Sequence, residues 1–383
     1  MPEAVIVATA RTPIGRANKG SLKDMRADDL GGLIVKTLME KVPQVDPATV
    51  DDHYLGTGYP MGEQGFNAAR TVGFLGGLPK EVPGATVNRF CSSSLQTIRM
   101  AFHAIKAGEG DTYIASGLEC VSRVGRQGSA DDLNPKLMPG GIANVYIPMG
   151  LTAANVAERF NVSREEMDEF AVKSQNRAVA AQENGFFERE STPVTLPDGT
   201  VVNKDDGPRP GTTYEVLSQL KPAFKEDGKV TAGNSCRLND GAAAVLVMSE
   251  ERASALGLQP LARIVASAVS ALDPEIMGVG PIDACRRVLD RAKMSIDDID
   301  VVELNEAFAA QVIPVCREVG IDIDEQLNPH GGAIALGHPF GMTGARIMTT
   351  LINDLQTLNK RYGLETMCVG GGQGMAMIIE RLS

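Results

Sequence analysis

The chain opens on a short apolar run, Ala4 to Ala10 (AVIVATA), rich in β-branched residues and closed by a turn. Such a run reads as a strand buried on both faces. Arg26 to Val42 places Leu30, Ile34 and Leu38 at helical spacing. Tyr54 to Gly58 and Ala85 to Asn88 read as further short strands, and Ser92 to Ala107 reads as a helix. Asp111 to Gly117 (DTYIASG) is a strand ending on glycine. Strands that alternate with helices predict an α/β layered fold.

The second half repeats this plan. Ala262 to Ala268 (ARIVASA) mirrors Ala4 to Ala10, and Ile299 to Leu304 (IDVVEL) mirrors the strand near Tyr54. Leu327 to Leu336 mirrors the segment before Cys91, and Thr366 to Gly374 mirrors Tyr113 to Glu119. Each offset is about 250 residues, and four such offsets in order point to two copies of one α/β unit. Between the copies, Val121 to Arg237 is loop-rich, with Gly and Pro clusters at Pro135, Pro139–Gly141 and Gly207–Gly211. It also holds an amphipathic helix, Arg164 to Asn184, capped by Ser163 with Glu166 three residues on. Linkers lack such patterning, so this stretch reads as an insertion into the first copy.

Composition narrows the function. A 43% hydrophobic share over 383 residues fills more than one core and excludes global disorder. The 48 acidic against 37 basic residues leave a net charge of −11, which gives little bulk attraction for nucleic acid or anionic lipid. A local basic pocket for a small anion stays open. No apolar run reaches the ~18 residues of a membrane span. The N-terminus has no basic region before a longer apolar stretch, so a cytoplasmic location is expected. Cys91, Cys120, Cys236, Cys285, Cys316 and Cys368 are far apart, with no CxxC pair. That favours reduced thiols over a disulfide scaffold or a zinc site, and no metal is expected.

Four segments can carry chemistry. Cys91, in Asn88-Arg-Phe-Cys-Ser-Ser-Ser94, follows a strand and precedes a helix. A thiol there meets the positive end of the helix and free N–H groups, which favour thiolate and suit a nucleophile or an oxyanion. The competing reading is a buried structural cysteine. His338, between Gly337 and Pro339 in GGAIALGHPFG, is poor core material and can exchange protons or donate to an oxyanion. His330 is equally compatible with a structural hydrogen bond. Cys368, in CVGGGQG, stands beside glycines that allow close ligand approach, and Gly370 can offer its N–H. A plain glycine turn is the alternative; the run lacks the context of a nucleotide loop. Asn305 and Glu306 follow the strand VVEL, at the strand end where α/β folds place sites, and Asn305 also fits a helix N-cap.

Together, RFCSSS around Cys91, NEAFAAQ at Asn305 to Gln311, GGAIALGHP with His338 and CVGGGQG with Cys368 resemble the four signatures of the thiolase family, in the family's order. The likeness spans essentially the whole chain. It implies a five-layered α-β-α-β-α fold made of two related βαβαβαββ halves. Residues 1–120 with 238–261 are expected to form one half and 262–383 the other, with 121–237 a loop domain covering coenzyme A. The implied reaction is reversible thiolysis of a 3-oxoacyl-CoA by CoA to acetyl-CoA and a shortened acyl-CoA, of the β-oxidation type, alongside partner enzymes of that pathway. By resemblance, Cys91 is the acyl-accepting nucleophile and Cys368 the acid and base. His338 and a water on Asn305 form one oxyanion hole, and the N–H groups of Cys91 and Gly370 form the second. CoA is a substrate, with no permanently bound cofactor. Arg209 matches a position near its nucleotide, and Ser235, Cys236, Met149, Met277 and Phe308 match positions beside pantetheine and acyl chain. Cys236 departs from the serine of many relatives. Pro148 and the His330 of NPHGG lean toward the degradative, longer-chain type.

Acetyl-CoA acetyltransferase is the alternative within the family. A decarboxylating condensing enzyme shares the fold but usually lacks a cysteine in the CVGGGQG position. A non-catalytic acyl-CoA or lipid carrier would lack the four reactive residues. Resemblance further implies a homodimer or homotetramer, with Arg126 to Pro139 a candidate tetramer contact.

Overall fold

The computed structural model describes residues 2–124 and 132–383. The tetramer candidate therefore lies partly outside the described residues; its described end carries a short turn at Pro135–Leu137.

In the first half the strands are β1 (Ala4–Arg11), β2 (Asp52–Gly56), β3 (Gly84–Val87), β4 (Thr112–Cys120) and β5 (Asn239–Ser249). The second half supplies β6 (Ala262–Ala271), β7 (Val301–Leu304), β8 (Tyr362–Val369) and β9 (Gln373–Arg381). They hydrogen-bond in the order β7-β8-β9-β6-β1-β5-β4-β2-β3, with the two-residue strand Gly15–Arg16 added on β5. Within each half the spatial order is third, second, fourth, fifth, first. In the second half the third strand has shrunk to one parallel bridge, Leu327 to Val302. This shared order is the structural form of the repeat seen in the sequence. The halves join along a seam of only two residue pairs, Val5 with Arg263 and Ile6 with Ala262.

Alternation along the strands sorts side chains into three cores. On β5, Ala242, Ala244, Leu246 and Met248 face an outer layer built by α1 (Ala27–Glu40) and α2 (Ala68–Leu75). Ala243, Val245 and Val247 face inward, toward α3 (Ser93–Ala107). In the second half Met367, Val369, Met375 and Met377 also face inward. Cys368, Ala376 and Ile378 face the opposite outer layer, with α6 (Gly280–Ala292) and α7 (Ala309–Val319). The inner layer holds α3 and α9 (Thr343–Thr357), in which every residue from Thr343 to Leu355 is buried. A helix buried on all sides belongs between two layers. The result is the expected α-β-α-β-α stack.

Between β4 and β5 the chain forms α4 (Met149–Arg159) and α5 (Arg164–Glu183). Ser163 and Glu166 close the predicted capping box on α5. Ala153, Val156, Met167 and Phe170 pack into the outer core of the second half. The insertion thus leaves one half and seats on the other. A further single turn, α8 (Ala333–Leu336), stands just before His338.

The two central helices touch at backbone distance. A Cβ on Gly344 would stand 2.2 Å from the Leu95 nitrogen, and one on Gly117 would stand 2.0 Å from the Gly341 carbonyl oxygen. Gly344→Ala is expected to lower stability by about 3 kcal/mol or more, read as the urea midpoint. Gly257→Ala, in open space at φ +68°, is the control and is expected to lose only about 1 kcal/mol. Equal losses would mean that the close packing contributes little.

Candidate active site

Cys91 lies in the 3₁₀ turn Phe90–Ser92 that leads into α3. The turn forces Phe90 to φ +43°, an unusual value for an aromatic residue. Cys91 is 8% exposed. Burial pushes its thiol well up, and the nearby Cys368 and Cys236 push the same way; the amides of Gly370 and Cys91 itself pull it down. The helix-terminus position predicts a thiolate. In the folded chain desolvation outweighs those amides, so the resting group is a neutral thiol.

Cys368 comes from the other half, one residue before the end of β8. Its sulfur accepts a 2.8 Å hydrogen bond from Gln311 Nε2, on the first turn of α7. Burial raises this thiol to about 11, and the Gln311 donor opposes that rise. The glycines that follow make a tight return: Gly371 and Gly372 have φ of +76° and +79°, and a Cβ on Gly372 would stand 2.2 Å from the Leu272 oxygen. Gln373 then ties this loop to the Cys91 loop. Its Oε1 accepts from Arg89 Nη1 at 2.8 Å, and its Nε2 donates to the Gly370 carbonyl at 3.2 Å. Arg89 Nε also donates to Gln96 Oε1 at 3.0 Å.

His338 is buried and held at both ring nitrogens. Nδ1 lies 2.7 Å from Thr343 Oγ1, whose hydroxyl donates to the Pro339 carbonyl at 2.8 Å. The hydroxyl has one proton, so with that bond made it accepts from His338 Nδ1–H. Nε2 is then the lone-pair nitrogen, 3.3 Å from the Asn305 amide nitrogen. Burial drives the imidazole down to about 3, with Arg346 adding to the effect, so it rests neutral. Asn305 Oδ1 is buried without a protein partner. The strand-end location of Asn305 is as predicted, but it caps no helix: α7 starts at Ala309 behind Phe308.

Glu306 braces the same loop from beneath. Its carboxylate accepts from Ser174 Oγ at 2.6 Å, Asn328 Nδ2 at 2.8 Å and the Ile334 amide at 3.1 Å. Glu119 was not singled out by the sequence, although a glutamate ending an apolar strand is a signal of a buried partner set. It accepts from the amides of Gly58 at 2.7 Å and Gly341 at 2.9 Å, joining the two halves beside the His338 loop. His330 sits elsewhere. Its Nδ1 is 2.5 Å from Asp354 Oδ1, its ring stacks on Phe186 at 3.6 Å, and burial takes it down to about 4.

Of the other candidate residues, Cys236 lies near both thiols. Cys236 donates its amide to the Ala307 carbonyl at 2.9 Å, and burial lifts its thiol to about 12, with Cys368 and Glu306 contributing. Ser235 bridges to Phe308, and its hydroxyl donates to the Thr231 carbonyl at 2.6 Å, so a ligand finds only its acceptor side. Met149 and Cys236 pack against the core that contains Phe308 and Met277. Phe224 meets Phe308 edge to face at 5.9 Å. Arg209 is exposed, its backbone fixed to Gln175 Oε1 at 2.9 Å. All six cysteines are free thiols. Among the described residues no group of three or more His, Cys, Asp or Glu is placed to hold a metal, and no helix is long and apolar enough to cross a membrane.

Residues 4–251 match the family described as thiolase, N-terminal domain, and residues 258–381 match thiolase, C-terminal domain. A 3-ketoacyl-CoA thiolase of Bacillus subtilis is 46% identical over 392 residues, covering 99% of this chain and 100% of that protein. A β-ketoadipyl-CoA thiolase of Pseudomonas aeruginosa is 45% identical over 399 residues and 99% of each chain. The crystal structure of the Bacillus anthracis acetyl-CoA acetyltransferase superposes with a TM-score of 0.92 at 39% identity, over 100% of this chain and 99% of that one. With both halves matched and a thiol from each brought to one site, the chain belongs to the thiolase family of acyltransferases.

Proposed function

We propose that the chain cleaves 3-oxoacyl-CoA with CoA, giving acetyl-CoA and a shortened acyl-CoA. The observation that carries this reading is the pair of buried thiols, Cys91 and Cys368, close enough to perturb one another and each with its own hydrogen-bond donor. A decarboxylating condensing enzyme has no use for the second thiol.

The neutral pair of Cys91 thiol and His338 imidazole is activated as substrate arrives. His338 Nε2, the lone-pair nitrogen, takes the Cys91 proton, and the thiolate attacks the 3-keto carbon. The imidazolium N–H and the Asn305 side favour one developing oxyanion, and the amides of Cys91 and Gly370 favour the other. The carbon–carbon bond breaks toward the acetyl-CoA enolate, which takes the Cys368 proton. The resulting Cys368 thiolate deprotonates the incoming CoA thiol. CoA sulfur attacks the acyl-Cys91 thioester, and the expelled Cys91 sulfur regains its proton from His338. A thiol held near 11 is a donor matched to a weakly acidic carbon.

Phe224 meets Phe308 edge to face, and Met149 and Cys236 pack against the same core, side chains that suit an apolar acyl chain. On this ground we favour 3-ketoacyl-CoA of fatty type over 3-oxoadipyl-CoA, whose far end is a carboxylate. A kcat/KM series from acetoacetyl-CoA upward, with 3-oxoadipyl-CoA included, is expected to rise with apolar length. Preference for 3-oxoadipyl-CoA would reject this choice.

Cys91→Ser is expected to lower turnover by on the order of 10³-fold and abolish the acyl mass shift on that residue. Cys368→Ala is expected to retain the acyl mass shift from acyl-CoA while losing carbon–carbon cleavage. Cleavage that survives Cys368→Ala would overturn the mechanism.

Gln311 tunes the second thiol. The protonated acid form of Cys368 is present below its folded pKa and is lost as pH rises through it. Gln311→Leu removes a donor that favours the thiolate, so the pKa moves further up. Peptide-resolved alkylation of Cys368 against pH is expected to shift upward by about one to two pH units. An unmoved midpoint would reduce Gln311 to packing.

A further inference from the structure

Phe90, next to the nucleophile, is held in a conformation that its side chain disfavours. Seven non-glycine residues have positive φ among the described residues, and four of them are asparagines, which tolerate it. Phe66 and Phe90 are the two aromatic ones; Phe66 stands fully exposed, whereas Phe90 leads directly into Cys91. At φ +43° the Phe90 backbone is fixed from both sides. Its amide donates to Asn88 Oδ1 at 2.9 Å, and its carbonyl accepts from Ser93 Oγ at 2.6 Å. Asn88 is tied in turn to the Gly58 carbonyl at 2.9 Å, and Ser93 Oγ accepts the Arg89 amide at 2.9 Å. Surroundings that over-determine a residue in this way sustain such strain, and strain of this kind gathers at functional sites.

The strained turn sets the phenyl ring on the glycine loop of the other half. A Cβ on Gly370 would stand 3.4 Å from Phe90 Cγ and Cδ2, an ordinary contact, and one on Gly371 would stand 4.0 Å from Cε2. The carbonyl of Gly370 is held from the same stretch of chain. Arg89 Nη1 donates to Gln373 Oε1 at 2.8 Å, and Gln373 Nε2 donates to the Gly370 carbonyl at 3.2 Å. Gln96 Oε1 keeps the Arg89 side chain in place at 3.0 Å. Gly370 therefore meets Phe90 at its α-carbon, Gln373 at its carbonyl and Cys91 at its amide. A glycine has no side chain to restrict its dihedral angles, so its neighbours must set them. Asparagine at position 90 would accept the same φ with less strain, so the backbone alone gives no reason for a phenyl ring there. The contact with the glycine loop does.

We propose that Phe90 and the Arg89–Gln373 pair are positioning residues that hold the Gly370 amide on the Cys91 sulfur. This rests on the thiolase reading above and extends it: an oxyanion donor on one half is aimed by the residues beside the nucleophile on the other. Such a donor stabilises developing charge only while its backbone cannot turn away. The titratable groups that act on the Cys91 sulfur are Cys368 on β8, Cys236 and Tyr59, with His338 as proton acceptor in that reading, and each variant below leaves all four in place.

The test follows, in the same samples, single-turnover acyl uptake on Cys91 from acetoacetyl-CoA, the pH midpoint of Cys91 alkylation, KM and melting temperature. Phe90→Asn, which accepts the φ but drops the ring, is expected to slow acyl uptake by about ten- to a hundredfold with KM changed less than about threefold. Its melting temperature is expected to stay level or rise, because strain is released. The amide favours the thiolate, so losing its aim raises the Cys91 midpoint, by about half to one pH unit. Gln373→Leu is expected to move the midpoint the same way, and Phe90→Tyr, which keeps the ring, to hold uptake within about threefold of wild type. A wild-type rate and midpoint in Phe90→Asn, or a slowed rate with an unmoved midpoint, would overturn the proposal. So would a Phe90→Tyr variant as slow as Phe90→Asn. If Phe90→Asn does not fold, the midpoint in Gln373→Leu decides alone, and no upward shift there overturns the proposal. Failure of wild-type Cys91 to take up an acyl group would instead strike the thiolase reading itself.

Discussion

The site depends on backbone meeting backbone where the leading ends of the two central helices cross. Gly344 lies on the Leu95 nitrogen, Gly341 on the Leu118 oxygen, and Gly56 on the Ser93 to Ser94 peptide. At none of these places is there room for a side chain. Cys91 precedes one of these helices by two residues, and His338 precedes the other by five. Because the helix starts cannot separate, the nucleophile of one half and the histidine of the other share one small region. Glu119 adds to this lock by accepting amides from both halves. The seam between the sheets is only two pairs long and could not hold such geometry alone.

The same packing sets the protonation states. Burial opposes charge, so it raises the thiols of Cys91 and Cys368 and lowers His338 in one stroke. A site of this kind stores no ion pair at rest. Its hydrogen bonds are aimed instead at charges that appear during reaction: Gln311 toward the Cys368 sulfur, and the Gly370 amide toward the Cys91 sulfur. Preorganised donors of this sort need no reorganisation when the charge forms. Arg346, buried 3.8 Å from Glu303, adds a fixed positive potential that keeps His338 neutral until a thiol proton is offered.

The layers and the repeat were legible because they follow from period and order. Strand alternation and helical spacing survive in AVIVATA and in the run through Leu30, Ile34 and Leu38, and both segments fold as read. The reactive residues were legible because glycines gather around His338 and Cys368, where the backbone must pass close to other groups. The partners were not. Gln311 lies 57 positions from Cys368, and nothing local marks it as a donor to sulfur. Glu119 looks like the tail of a strand until its four-sided contacts are seen. The balance at Cys91 was hidden for a related reason: the helix-end amides that pull its thiol down are a local property, whereas the desolvation that pushes it up is set by the whole fold. The cap offered as one reading of Asn305 does not form, because Glu306, Ala307 and Phe308 separate it from the first residue of α7.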